Sequence, residues 1–287
     1  MEILNMKTFA KTLNNLTFTD YYYRLMLLAR CMYKWDGLPD NIDEKWIERF
    51  LYLHGSCVFF DDDVKGLMVA QCTQNGNLNM YDEPTSVTPY GVGYTSTKPV
   101  QLMGKKKNGV LIRNNDDMIA TSFTLKLFAY RLADISRTMD INIHAQKTPV
   151  LLQGSEKQKM TLKHVYNQWD GNEPVIFGDK ALDSIDFKVH KTDAPIVFPQ
   201  LQTQKQCIWN EALTFLGINN ANTEKRERLI TNEVDANNEH IDISASCFLR
   251  AREKACEEIN KLFGLNLSVR KRTLEEVDEC FQNTRND

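Results

Sequence analysis

Two short segments of the 287-residue sequence carry side chains whose types and spacing could support chemistry. The first, Asp61–Asp63, is a run of three carboxylates, and carboxylate oxygens are ligands for divalent cations. Successive side chains on one chain point in different directions, and carboxylates in a turn are usually only solvated. We therefore expect this run to form a turn rather than a metal site.

The second segment, Met103–Gly109, is rich in lysine and begins and ends near glycines. Its Gly104–Lys105 pair lacks the following Ser or Thr and the upstream glycine of a phosphate-binding P-loop. We expect the segment to be a solvated hairpin tip.

No other combination of nucleophile, base and charge stabiliser is recognisable in the sequence. The HExxH, GxSxG and helix-opening GxGxxG motifs are absent, there is no CxxC pair, and no cysteine lies at zinc-ligand spacing from a histidine. The isolated residues are His54, His144, His164, His190 and His240, and Cys31, Cys57, Cys72, Cys207, Cys247, Cys256 and Cys280. The sequence therefore favours a binding or assembly role over catalysis. We expect no cofactor.

The composition restricts the class of protein further. With 42% hydrophobic, 25% charged and 10% aromatic residues, the chain is neither collagen-like nor disordered, and its most apolar early stretch, Tyr21–Met32, is too short to cross a bilayer. No signal-peptide pattern opens the sequence, and the scattered cysteines are typical of reduced thiols in a cytosolic compartment. A net charge of −3 excludes a broadly basic nucleic-acid binder.

The first half of the chain is predicted to contain helices and a small β-subdomain. Helical spacing extends from about Leu13 to Tyr33, and Gly37-Leu38-Pro39 then stops the helix. Asp43 can cap a second helix, whose predicted apolar stripe is Trp46, Phe50 and Leu53. Short apolar runs separated by glycine and proline predict strands from Ser56 to Arg113, in a partly open barrel.

The second half is predicted to contain three longer helices. The first begins near Thr121-Ser122 and ends near Asn142; the second runs from Leu201 to Leu216 before Gly217; the third runs from Ser244 to Phe263 before Gly264. The first carries a coiled-coil-like seam formed by Leu125, Phe128, Leu132, Ile135 and Met139. The apolar stripes of the two long helices that flank the insertion need partners and therefore suggest self-association. Residues 150–198 form an α+β insertion, with a helix at Leu162–Gln168, a turn at Asp170-Gly171 and strands at Pro174–Phe177 and Ile185–Val189. The polar stretch 219–240 is predicted to be a loop or weak helix, and Leu265, Leu267 and Val269 alternate as a strand. The fold class is therefore α+β.

Several long runs, in order along the chain, resemble the connector proteins of small short-tailed bacteriophages with protein-primed linear genomes, also called upper collar or portal proteins. The resemblance covers nearly the whole chain and is dense from about Asn142 to Val269. The matching runs are His144–Leu152, Leu162–Phe177, Ala181–Ser184, Lys191–Pro195, Trp209–Glu211, Thr214–Ile218 and Asn220–Val269, with Trp35–Pro39 and Asn114–Asp116 earlier.

This resemblance implies a ring-forming portal fold: a homo-dodecamer at one capsid vertex of the virion, assembled in the host cytoplasm, through which double-stranded DNA enters and leaves. It implies seven regions along the chain. They are N-terminal helices (1–55), a β-rich wing (56–120), a first channel helix (121–149), a narrow-end insertion (150–198), a second channel helix (199–218), a channel loop (219–240) and a wide end (241–287). Expected partners are the major capsid protein, a packaging ATPase and a lower collar or tail protein, with no membrane.

The resemblance also points to a few cations in the channel. Lys191 matches a position that contributes a lysine ring to the bore, whereas a second such position holds Gln200 here and leaves Lys205 as the nearby candidate. The channel loop carries Lys225, Arg226 and Arg228, which the resemblance assigns to gripping DNA.

One departure from the family concerns the N-terminus. Family members can carry a strongly basic N-terminal arm that contacts a structural RNA of the motor, and this chain has few cations there, so use of such an RNA stays open. Two alternatives also stay open at this point: another collar or tail component that docks on a portal, and, more distantly, a metal-dependent nucleic-acid-processing enzyme using Asp61–Asp63.

Overall fold

The computed structural model describes residues 6–95, 98–146, 150–153, 186–189, 195–219, 231–273 and 276. The chain divides into two units, one made of Met1–Asp134 with Lys205–Asp287, the other of Ile135–Gln204. The larger unit contains the main sheet and the apolar clusters that pack against it, and the smaller unit contains a two-stranded sheet.

The described residues contain helices and an uninterrupted run of six strands, as expected for the predicted α+β class. In chain order they are α1 (Met6–Arg30), β1 (Tyr33–Asp36), α2 (Glu44–His54), β2 (Ser56–Asp62), β3 (Gly66–Gln74), β4 (Ser86–Gly91), β5 (Tyr94–Thr95), β6 (Val100–Gln101), β7 (Gly109–Arg113), α3 (Thr121–Gln146), β8 (Val150–Gln153), β9 (Asp186–Val189), α4 (Phe198–Leu216), α5 (Thr231–Phe263) and β10 (Ser268–Lys271).

The first helix differs from its prediction at both ends. It begins at Met6 and ends at Arg30, and the predicted last helical residue, Tyr33, opens strand β1 instead. Strand β1 pairs antiparallel with β10, with Trp35 opposite Val269, and Tyr33 and Trp35 are both buried on one face of this ribbon. Pairing with a strand more than two hundred residues away overrides the local helical pattern.

Helix α2 begins where the sequence predicts but buries a different face. The side chain of Asp43 accepts a hydrogen bond from the backbone N–H of Lys45 at 2.8 Å, which confirms the predicted N-cap. The predicted stripe of Trp46, Phe50 and Leu53 is wrong. The buried residues are Ile47, Glu48, Leu51 and Tyr52, whereas Trp46 and Leu53 are exposed and Phe50 is only partly buried.

The predicted β-subdomain between Ser56 and Arg113 is confirmed as one antiparallel sheet. Its strand order is β5-β4-β3-β2-β7, with β6 also paired to β4. Strand β2 is buried on both faces: Cys57 and Phe59 join a cluster with α2 and α5, and Val58 and Phe60 join a second cluster inside the sheet. The sheet curls, because the end of β6 meets the start of β7 through a hydrogen bond from Asn108 N–H to the Gln101 carbonyl at 3.0 Å.

The first long helix, α3, begins at Thr121 as predicted and continues to Gln146. The side-chain amide of Asn114 donates to Thr121 Oγ1 at 2.8 Å and so ties the end of the sheet to the start of the helix. In the smaller unit, β8 and β9 pair antiparallel, which confirms the strand predicted to end at Val189. The other predicted elements of the insertion, at 162–168, 170–171 and 174–177, lie outside the described residues.

Helices α4 and α5 both end in left-handed glycines, as predicted: Gly217 has φ +74° and Gly264 has φ +68°. Helix α5 begins at Thr231, thirteen residues before the predicted Ser244. The second part of 219–240, predicted to be a loop or a weak helix, is therefore helical. Residues 220–230 lie outside the described residues. Once the apolar C-terminal part of α5 is packed, extending it toward the N-terminus adds a backbone hydrogen bond per residue, even for polar residues that show no periodicity.

A buried ion pair links α2 to α5. Arg252 Nε donates to Glu48 Oε1 at 2.9 Å and Arg252 Nη2 donates to Glu48 Oε2 at 2.7 Å, and both side chains are 3% exposed. The indole N–H of Trp35 donates to the same Glu48 Oε1 at 2.9 Å. Burial alone would lower the pKa of Arg252, but the charge and hydrogen bonds of Glu48 outweigh it and raise that pKa.

The remaining donors of Arg252 also have partners. Nη1 donates to the carbonyl oxygens of Asn114 at 3.1 Å and Phe248 at 3.0 Å, and Nη2 donates to Asn114 Oδ1 at 3.2 Å. A guanidinium group has five N–H donors, so each one of Arg252 has an acceptor. The guanidinium also lies over the ring of Tyr33 at 4.3 Å. This Arg252 network therefore joins β1, α2, the β7–α3 connection and α5.

The two helix-ending glycines allow a matched test of packing. A Cβ at Gly217 would lie 2.5 Å from Ala245 Cβ and 2.8 Å from its Cα, whereas a Cβ at Gly264 would meet nothing within 4 Å. Gly264→Ala should lower the free energy of unfolding by about 1 kcal/mol, the cost of a left-handed alanine. Gly217→Ala should cost about 3 kcal/mol, because the clash with α5 adds to the same backbone strain. Urea denaturation of the two variants measures both, and equal losses would contradict the α4–α5 contact.

The Arg252 network predicts a large asymmetry between two neighbouring arginines. Arg252→Met leaves the buried carboxylate of Glu48 without its cation and should lower the free energy of unfolding by about 3–5 kcal/mol. The control is Arg250→Met, which removes an ion pair with Asp116 whose side chains are 61% and 52% exposed, and should cost less than about 1 kcal/mol. Urea denaturation of both variants at one protein concentration measures the two losses in free energy of unfolding. Similar losses would refute the role of the network.

Candidate functional site

The inner face of α3 packs against α4, which in turn packs against α5. The ring of Phe128 lies 6.2 Å from that of Phe215, and Phe215 meets Phe248 edge-on at 5.9 Å. Leu125 and Leu132 are fully buried. In the larger unit, the seam that the sequence predicted as a self-association stripe therefore has its partner inside the protomer.

The outer face of α3 is apolar and exposed. Phe123 is 80% exposed, Leu127 60% and Tyr130 65%, although their side chains are among the largest and least polar on the helix. Their spacing of four and three residues places them on one face, which we call the outer α3 stripe. This stripe was not predicted from the sequence, although its helical spacing is present in the same segment as the predicted seam.

Helix α4 presents a different surface in the larger unit. Ile208, Ala212 and Leu216 are buried at spacings of four residues, whereas Cys207 and Glu211 are exposed. Arg131 of α3 forms an ion pair with Glu211 of α4 at 3.2 Å, which fixes the two helices side by side. The adjoining outer faces of α3 and α4 are thus respectively apolar and polar.

One lysine of α3 and one lysine of α4 contact aromatic rings of α1. Lys205 Nζ lies 5.6 Å from the ring centroid of Tyr21, and Lys126 Nζ lies 5.9 Å from that of Tyr22. Both distances fit cation–π contacts. Lys205, a predicted DNA-contacting residue, is therefore partly buried beside α1 and keeps its charge close to an aromatic face.

The structure does not describe the positions of the other predicted DNA-contacting residues. Lys191, Lys225, Arg226 and Arg228 lie outside the described residues, so their assignment stays a prediction.

The acidic run Asp61–Asp63 is part of a hydrogen-bonded turn. Asp62 Oδ1 accepts from the backbone N–H groups of Val64 and Lys65 at 3.0 Å each, and its Oδ2 accepts from the hydroxyl of Tyr94 at 2.5 Å. The Tyr94 hydrogen bond, followed by the two backbone hydrogen bonds, lowers the pKa of Asp62. Asp63 pairs with Lys98 at 2.9 Å. Both carboxylate oxygens of Asp62 therefore accept hydrogen bonds within the β-subdomain. The residues that the structure describes contain no group of three or more metal-ligating side chains.

The lysine-rich segment Met103–Gly109 also folds as a turn, between β6 and β7. Gly104 has φ +80°, and the backbone N–H of Lys107 donates to its carbonyl at 3.3 Å. Lys107 pairs with Glu258 of α5 at 2.5 Å, while Lys105 and Lys106 are exposed. The geometry is that of the predicted solvated tip.

Among the helices within the described ranges, none combines the length and apolarity needed to cross a membrane.

Comparison with known proteins identifies the family. The profile of the Phage Connector (GP10) family matches residues 3–275. The fold is similar to that of a chain in the structure of the "Portal and tail of native bacteriophage P68", with 14% sequence identity, a TM-score of 0.50, and coverage of 100% of this chain and 98% of that chain. A portal protein of the HK97 family from Corynebacterium diphtheriae matches with 9% identity, a TM-score of 0.46, and coverage of 91% and 93%. A chain of the virion of a native gene transfer agent matches with 9% identity, a TM-score of 0.48, and coverage of 95% and 87%.

The class is therefore that of the phage portals, with an α+β portal fold. Because the family profile spans almost the whole chain, this protein belongs to the phage connector family. It is a structural component of the virion, a portal ring that joins the head to the tail and forms the channel for the genome.

Proposed function

We propose that the ring is a homo-dodecamer in which the outer α3 stripe of each subunit packs against the neighbouring copy. The exposed Phe123, Leu127 and Tyr130 carry this proposal, because three large apolar side chains on one helix face favour burial in an assembly. The opposite face of α3 already belongs to the protomer core, so the stripe is free to make contacts between subunits.

The second part of the proposal concerns the channel wall. Helices α3 and α4 form it, with the polar outer face of α4 toward the bore and the apolar face of α3 toward the neighbouring subunit. Double-stranded DNA passes through the bore. Each tight Lys or Arg contact with phosphate adds affinity, so a wall that lets DNA slide needs few cations. The net charge of −3 over the whole chain is compatible with that requirement.

A small set of cations makes the contacts that the DNA does experience. These are Lys191 in the bore, Lys205 beside α1, and Lys225, Arg226 and Arg228 in the channel loop. The cation–π contact with Tyr21 holds Lys205 in a defined position, and its partial burial reduces its reach. The loop cations therefore carry most of the grip on packaged DNA in this proposal.

The remaining regions meet the partners of the ring. The sheet within 56–120 forms the wing toward the major capsid protein, residues 150–198 form the narrow end toward the packaging ATPase and then the lower collar or tail protein, and 241–287 form the wide end. The protein acts by holding and guiding DNA, and the packaging ATPase supplies the catalysis.

The ring proposal predicts the effect of a charge in the outer α3 stripe. Leu127→Glu should convert rings into monomers without changing the fold, because a buried unpaired carboxylate in each interface is costly and Leu127 is outside the protomer core. Val92→Glu is the control, since Val92 is fully exposed on a turn of the sheet. Light scattering after gel filtration and negative-stain images measure assembly, and circular dichroism checks the fold. Normal rings of the Leu127→Glu variant would contradict this interface.

The channel-loop assignment predicts a defect in genome retention. Replacing Lys225, Arg226 and Arg228 by Gln should leave ring assembly intact but let packaged DNA leak from heads. The control replaces Lys105, Lys106 and Lys261 by Gln. These are exposed lysines outside the proposed channel, so the control removes the same positive charge as the loop variant. Nuclease-protected DNA length in purified heads is the measurement. Full-length DNA in the loop variant, or equal leakage in the control, would refute the assignment.

A further inference from the structure

The loop between β3 and β4 holds an exposed apolar dipeptide in a fixed conformation. Asn79 Oδ1 accepts from the backbone N–H of Tyr81 at 2.8 Å and of Glu83 at 3.0 Å, and the Asn79 N–H donates to the Glu83 carbonyl at 2.9 Å. Asp82 has φ +58°, a left-handed conformation that aspartate tolerates. Several hydrogen bonds thus converge on one side chain to build the loop.

The tip of this loop is Met80 and Tyr81, which are 84% and 74% exposed. We call these two residues the β3–β4 knob. Ordering a loop on binding costs affinity, and a loop that its own hydrogen bonds already hold avoids most of that cost. A large aromatic residue presented in this way is typical of an anchor at a protein interface.

An apolar pocket of about 350 Å³ lies between α2 and the start of β3, and we call it the α2–β3 pocket. At about 30 Å³ of liquid volume per water molecule, it has room for on the order of ten waters, or for an aromatic side chain and part of a neighbour. Its apolar lining is Ile42, Trp46, Phe50, Met68 and Val69. Trp46 is 45% exposed there, which explains why the predicted α2 stripe does not belong to the core.

The rim of the pocket and the base of the knob carry opposite charges. Lys65 lines the pocket, and Lys45 Nζ and the Arg49 guanidinium lie 5.7 Å and 5.6 Å from the ring centroid of Trp46. Asp43 also lines the pocket and pairs with Lys45 at 3.2 Å, so the excess positive charge there comes from Arg49 and Lys65. Next to Tyr81 in the loop, Asp82 is an exposed carboxylate. The excess charge beside the pocket is therefore opposite to that of Asp82.

The knob and the pocket lie toward opposite ends of β3. The strand starts at Gly66, beside the pocket, and ends at Gln74, before the knob loop. Val69 at the pocket is five residues, about 17 Å of extended strand, from Gln74, and neither Met80 nor Tyr81 lines the pocket of its own chain. A second copy carries the matching partner for each feature, and a contact between two different patches is the head-to-tail type that closes into rings.

We propose that the β3–β4 knob of one subunit inserts into the α2–β3 pocket of its neighbour, which gives the ring a contact between wings in addition to the outer α3 stripe. This inference rests on the proposed ring. It assigns Tyr81 as the anchor, and Asp82 as the partner of Arg49 and Lys65.

A photo-cross-linking experiment on assembled rings of the full chain tests the contact. With p-benzoylphenylalanine in place of Tyr81, cross-linked peptides should join position 81 to residues 42–50 or 65–69. In rings assembled from a mixture of ¹⁴N and ¹⁵N chains, those peptides should include ¹⁴N–¹⁵N pairs. The same group at Val92, on another turn of the sheet, should give no such peptides. Rings whose position 81 cross-links elsewhere, or only within one chain, would overturn the inference and leave the proposed ring intact; a wild-type chain that forms no ring would refute the proposed function itself.

A charge exchange tests the same contact without a probe. Asp82→Lys and Arg49→Glu should each raise the concentration at which rings dissociate by about tenfold, a typical loss for a disrupted interface pair. The double variant should recover most of that loss, which two merely destabilised protomers would not do. Additive losses in the double variant, or rings of normal stability that no longer attach to capsid or tail, would overturn the proposal in favour of a different partner for the knob.

Discussion

The buried contact between Arg252 and Glu48 is the interaction on which the arrangement of the larger unit depends. The two residues are 204 positions apart, and both are almost fully buried. A buried charge without a partner is costly, so Arg252 is stable only where Glu48 and the Asn114 oxygens meet it. That condition is satisfied only when β1, α2, the end of the sheet and α5 all occupy their positions. The network is therefore stable only when these elements are packed together as in the folded protein. A hydrophobic replacement of similar volume could be as stable, but it would not demand the same geometry from each element.

This geometry bears directly on the function of a connector. Asn114 binds Arg252 through its oxygens and Thr121 through its amide, so the network positions the first residue of α3. The direction of α3 within the larger unit then decides which face is covered by Phe215 and which face is presented outward. In a ring, any deviation in the direction of α3 recurs at every interface between subunits. A rigid junction between the sheet and α3 is therefore a physical requirement for closure of the ring.

Sequence patterns were most informative where a local interaction decides the structure. The Asp43 cap, the glycines Gly217 and Gly264, and the strands between Ser56 and Arg113 were all predicted, because capping, left-handed turns and alternating strands depend on adjacent residues. Patterns failed where a distant partner decides. Tyr33 joins a strand because β10 pairs with it, and α2 turns Trp46 outward because Ile47 and Leu51 fit the cluster beneath the sheet. The candidate site shows the same division: the predicted α3 seam was a correct apolar pattern, but its partner is inside the chain.

The sequence by itself determined the α+β class, the long helices, the absence of recognisable catalytic motifs and, through its matching runs, the connector family. Only the tertiary structure decided which of the two apolar faces of α3 is free and that Glu48 and Arg252 form a buried pair. It also decided that Met80 and Tyr81 are held outward while a pocket opens beside Trp46. The physical reason is that periodicity identifies residues that avoid water but not the surface that covers them. That surface is set by contacts between residues far apart in the chain, whose burial and hydrogen bonds must be satisfied together.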